Sequence, residues 1–189
     1  MSSAIVLCLA SDLYLKAPVD LQEVMWACYW GSLVIMFGVY FQYDILVSCG
    51  VVFFAGLGLP AWLLGLLLGN PLEPTSILIH TIPLIAGGIY VSKMKSLPRY
   101  STLGAWLLYV IPLAVAWEFC DPEKKINLSH WIWPPAKKVL PRTWEFQALL
   151  LGTSAVTVFL AKNVIDTMIR TIARTHGSGL QPTAKSKLA

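Results

Sequence analysis

Residues 45–69 read ILVSCGVVFFAGLGLPAWLLGLLLG, 25 positions with no charged side chain. A helix that crosses the hydrocarbon core of a bilayer needs about 20 predominantly apolar residues. This run meets that need and exceeds it, so a tilt or a kink is expected. Gly56-Leu57-Gly58-Leu59-Pro60 is the expected kink site, because proline removes a backbone donor and its ring crowds the preceding turn.

Working outward, the same pattern recurs. Val24–Phe41 is an uncharged run, and Gln42-Tyr43-Asp44 makes a tight turn after it. Asp44 is read as the cap of the helix that follows, since a carboxylate there can accept the free first-turn N–H groups. Asn70-Pro71-Leu72-Glu73-Pro74 breaks the chain before Thr75–Val91, a run interrupted only by His80. A basic loop, Ser92–Tyr100, leads to the run Ser101–Phe119, with Ser101 as a candidate cap. Cys120–Trp144 is a 25-residue loop whose start, Asp121-Pro122-Glu123, predicts a short interfacial helix. The last run, Phe146–Ala161, continues as a helix toward Arg174.

The reading is an all-α integral membrane protein, a single helical domain over residues 1–175 followed by a disordered tail at 176–189. About five spans are expected, near residues 24–41, 45–69, 75–91, 101–119 and 146–169. A sixth follows if residues 4–15 also enter the membrane.

Composition excludes the alternatives. The chain is 57% hydrophobic and 13% charged, against roughly 25% charged in soluble globular domains. A soluble fold with so few charges would expose large apolar patches, and a disordered chain would not carry so much material to bury. Fourteen scattered Lys and Arg residues leave no nucleic-acid footprint. Cys8, Cys28, Cys49 and Cys120 are too widely spaced for a CxxC pair, and Cys28 and Cys49 read as small hydrophobes in apolar runs. No cofactor is expected. The run Ala4–Ala10 is short for a signal peptide and lacks a preceding base, and Ser186-Lys187-Leu188 is followed by Ala189 and so is not a terminal address.

With five spans, one face carries residues 1–23, the 70–74 loop, Glu118 and the 120–145 loop, with six bases and eight acids. The other carries the 42–44 turn, the 92–100 loop and the chain from Lys162 to the C-terminus, with eight bases and two acids. Counting Lys and Arg alone, the second face is read as cytoplasmic, with the N-terminus outside and the C-terminus inside. The sequon Asn127-Leu128-Ser129 agrees with this.

Candidate chemistry gathers on the first face. His80 lies inside a span, where ionisable groups usually face the bundle interior and often mark function. Glu118, Asp121, Asn127 and His130 fall at the same face, with Cys120, Asn70 and Glu73. His80 offers a base near neutral pH, and its structural alternative is a neutral imidazole bonded to a neighbouring helix. Pro83 leaves the Ile79 carbonyl open as a local partner. His80, His130 and Glu118 form a conceivable zinc set, although no HExxH or HxxxH spacing supports it. A Cys120–His80 nucleophile pair has no local signature.

Trp26, Trp30, Trp117, Trp131, Trp133 and Trp144 read as an aromatic belt, and Lys137, Lys138 and Arg142 as snorkelling residues near lipid phosphates. Gly65 and Gly69 form a small-xxx-small pair for close helix approach, within the bundle or in a homo-oligomer. Lys162 and Asp166 form an i,i+4 pair.

Two functional classes follow. One is a non-enzymatic membrane protein, either an accessory subunit or a binder of a lipid or small molecule. The other is a membrane-embedded enzyme acting on a lipid-like substrate through His80 with Glu118, Asp121, Asn127 or His130. A small oligomeric transporter is a third class. The expected partners are the bilayer itself and other membrane subunits.

Overall fold

The computed structural model describes residues 3, 5–7, 9, 10, 26–67, 69, 72–121, 123 and 137–177. The main elements are helical: α1 (Ala27–Phe41), α2 (Asp44–Leu67), α3 (Pro74–Val91), α4 (Ser101–Phe119) and α5 (Thr143–Gly177). No strand occurs among the described residues. α2 to α5 are each long and apolar enough to cross a membrane, and α1 is a shorter apolar helix of 15 residues.

The outer surface decides the solvent. Only 11% of the most apolar window of α5 is buried inside the bundle, against 39% for α2. Ile85, Leu149, Phe159 and Leu160 point outward with at least half of their surface exposed. Water would penalise such a surface, whereas lipid tails match it, and helices satisfy their own backbone groups there. The chain is an all-α membrane bundle.

α2 is the hub, packed against α1, α3, α4 and α5. Its residues Val47, Val51, Val52, Phe53 and Phe54 form the centre of the core. Helices in lipid associate through close packing of small residues rather than through expulsion of water. Accordingly, Gly50 sits against Ile35 of α1, Gly87 against Val51, and Gly104 against the Cys49 sulfur. A methyl group at any of the three would overlap its neighbour.

The expected irregularity in α2 is a π-helical turn, Phe54–Gly58. The Leu59 N–H reaches back five residues to the Phe54 carbonyl. Pro60 explains the widening, since it has no N–H to return to the preceding turn and its ring needs room. Gly56 lies in this turn against α5, where an added Cβ would stand 3.0 Å from the Val158 Cα.

Several local expectations are replaced by other partners. Asp44 is not the cap of α2: Tyr43 holds that position, with no side-chain cap bond. The helix starts one residue early, so Asp44 falls in its first turn, and its Oδ1 accepts the Tyr90 hydroxyl at 3.0 Å. Ser101 is likewise the first residue of α4 rather than its cap, and its hydroxyl donates to the Pro98 carbonyl at 2.8 Å. Gly69 lies beyond the end of α2 at φ 94°, a left-handed turn position that suits glycine, and its N–H closes on the Leu66 carbonyl.

The 92–100 loop is tied to α5 through buried Asp166. Asp166 Oδ1 accepts the Leu97 N–H at 2.8 Å, and Oδ2 receives Arg170 at 2.7 Å. Lys162, the partner expected from spacing, stands farther off at 3.8 Å. At the other end of the chain, the described residues of 3–10 are helical, with Ile5 and Leu9 buried in the core. Ser3 and Val6 lie beside Met36, Phe37, Tyr40 and Phe41. That is the 42–44 end of α1, opposite the face to which counting five spans assigns residues 1–23. The predicted interfacial helix falls largely outside the described residues, as do residues 178–189 of the tail.

Candidate functional site

His80 stands in the second turn of α3, half-buried between three helices. Its Nδ1 lies 2.8 Å from the Ser76 carbonyl, one turn back along the same helix. A carbonyl only accepts, so Nδ1 carries the proton in this contact. In the neutral ring Nε2 is then an acceptor. Cys28 Sγ of α1 lies 3.1 Å from Nε2 and donates its S–H there.

Aromatic rings hold the imidazole in place. The Trp62 indole stacks on it with centroids 5.1 Å apart and planes 12° from parallel. Phe54 meets it edge-on at 6.3 Å. Trp62 is itself oriented, because its Nε1–H donates to Ser76 Oγ at 2.8 Å. Ser76 thus serves twice, through its carbonyl to His80 and through its hydroxyl to Trp62.

Cys28 also lines a half-open cavity of about 230 Å³ between α1, α2, α4 and α5. Phe53, Leu57, Tyr109, Ser154 and Thr157 are among its other walls. The lining is mostly apolar, with a few hydroxyls on the α4 and α5 sides. One of these, Ser154, accepts the Trp106 N–H at 3.1 Å and donates to the Leu151 carbonyl. That bond ties α4 to α5 behind the cavity.

The other candidates are placed differently. Glu118 is exposed in the last turn of α4. Cys120 is buried beside Ala116, with Trp26 packed on both. The thiol that meets His80 is therefore Cys28, not Cys120. Asp121 is exposed and accepts the Glu123 N–H at 2.9 Å in a local turn. Glu73 is exposed at the start of α3. Asn70, Asn127 and His130 lie outside the described residues, as do Trp131 and Trp133. Among the described residues, no three His, Cys, Asp or Glu side chains gather as a metal site. Trp30, Trp117 and Trp144 face outward. Arg142 makes a 4.0 Å pair with Glu145, and Lys137 and Lys138 are exposed.

Cys28 was hidden by its apolar setting, 52 residues from its partner. Depth was the available signal. Cys28 is the fifth residue of the run 24–41 and His80 the sixth of 75–91, and both runs start at the same face. Compared with known proteins, the chain matches no family model, no curated protein and no solved structure.

Proposed function

We propose that this membrane protein binds a lipid-like chain in the cavity between α1, α2, α4 and α5. The observation that carries the reading is the apolar, half-open space itself, set among outward-facing spans and edged by Tyr109, Ser154 and Thr157. Its volume of about 230 Å³ is below the roughly 300–1,000 Å³ of sites that enclose a whole small molecule. It therefore suits one end of an acyl chain whose remainder stays in the bilayer. The competing reading is an enzyme pairing His80 with Glu118, Asp121, Asn127 or His130. Both ring nitrogens of His80 are engaged by Ser76 and Cys28, which favours binding over that set. The basic 92–100 loop and the exit of α5 support a cytoplasmic position for that face.

Photo-crosslinking tests this. The full chain is placed in vesicles of phosphatidylcholine bearing a diazirine and an alkyne on one acyl chain. Adducts are expected at Leu57, Tyr109 and Leu150, and Ala61→Trp, which fills the rim, should cut them several-fold while sparing adducts at outward Phe159. Labelling of outward residues alone, insensitive to Ala61→Trp, would overturn the proposal.

A further inference from the structure

We infer that Cys28 is an acyl-accepting nucleophile, with His80 as its base and a fatty acyl group as its substrate class. This deepens the lipid-binding reading and rests on it. Three features of the geometry converge on Cys28. Its Sγ lies 3.1 Å from His80 Nε2, the ring nitrogen left as acceptor when Nδ1 carries the proton. The other ring nitrogen is fixed on a carbonyl at 2.8 Å. The same residue forms part of the wall of the apolar cavity. Nucleophile, base and an orienting third group in mutual contact are the arrangement that activates a thiol.

The surroundings suit the chemistry. Cys28 lies in the first turn of α1, where the helix dipole favours a developing negative charge. The stacked Trp62 and edge-on Phe54 keep the imidazole in register as its proton load changes. Tyr109 is part of the same cavity wall, and its phenol is a donor of the type that stabilises an acyl-transfer oxyanion. The apolar walls select an electrophile with a hydrocarbon tail.

The step balances without any redox partner. His80 Nε2 takes the Cys28 proton, and the sulfur attacks the acyl carbonyl carbon. The bond from that carbon to its leaving group breaks, and His80 returns the proton to the leaving thiolate or alkoxide. The product is a Cys28 thioester plus a free thiol or alcohol. A thioester donor is the expected source, since one thioester then replaces another; a glycerolipid ester carries the same acyl group.

The test incubates the purified full chain with alkyne-tagged palmitoyl-CoA, or with vesicles of alkyne-tagged phosphatidylcholine. Label is expected on the Cys28 peptide and should be released by neutral hydroxylamine. Cys28→Ala should abolish it. His80→Gln should slow it by roughly 100-fold, the scale of a lost general base. Labelling by the first donor identifies the thioester source, and labelling only by the second identifies the lipid ester. No label on Cys28 from either donor would overturn the inference, as would a rate unchanged in His80→Gln or equal labelling of Cys49 and Cys120. The diazirine adducts at Leu57 and Leu150 are measured in the same variants. Their persistence in Cys28→Ala separates failure of the acyl step from failure of chain binding.

Discussion

At the scale of single residues, Trp62 is the side chain on which His80 depends most visibly. It stacks on the ring and spends its N–H on Ser76, the residue that also holds Nδ1. Trp62→Leu should lose the stacking, worth about 0.5–1.5 kcal/mol, and lower the thermal midpoint in detergent. Trp62→Phe should keep most of that midpoint while freeing Ser76 Oγ. Equal midpoints for the Trp62→Leu variant and the parent would remove the role assigned to the stack. His80 itself was legible in the sequence because an imidazole interrupts an otherwise apolar run. Its partners were not. Trp62 and Cys28 look like ordinary span residues until folding brings α1, α2 and α3 together, and only the matching depth of Cys28 and His80 in their runs hints at the contact.

At the scale of elements, the spans were readable because absence of charge over about 20 residues has few explanations in a folded chain. Helix ends were read less well. Asp44 and Ser101 are good capping residues by type, yet each helix begins at that residue and its side chain turns to Tyr90 or Pro98 instead. Which residues allow close helix approach also depends on packing that composition does not encode. Gly65 and Gly69 match a spacing rule, but Gly69 closes a turn, and the tight α2–α4 contact is at Gly104 against Cys49. Gly104→Ala should therefore cost about 1–3 kcal/mol through overpacking. Adding Cys49→Ala to it should restore part of the loss, a coupling read by a double-mutant cycle of detergent unfolding. Simple additivity of the two substitutions would show that the contact does not limit the approach.

At the scale of the whole molecule, the N-terminal residues put the topology read from charge to a test. Ser3 and Val6 sit beside Phe37, Tyr40 and Phe41, at the end of the bundle that carries the 92–100 loop. A cysteine at Ser3 should react with an impermeant thiol reagent from the same side of a vesicle as one at Lys95. A cysteine at Lys138 should react from the opposite side. Labelling of Ser3→Cys together with Lys138→Cys would restore the five-span arrangement. The π turn of α2 has a consequence at this scale too. It holds one residue more than an α-helix would use, and each residue turns a helix by about 100°. The segment beyond Gly58 is therefore out of phase with Asp44–Phe53 by about that angle. One helix thus presents two faces in two directions. The first half is phased to the packed centre of the bundle, and the second is phased to aim Trp62 at the imidazole. The angular offset between them is set by five residues, Phe54–Gly58, that touch neither Ser76 nor Cys28 through a hydrogen bond of their own side chains.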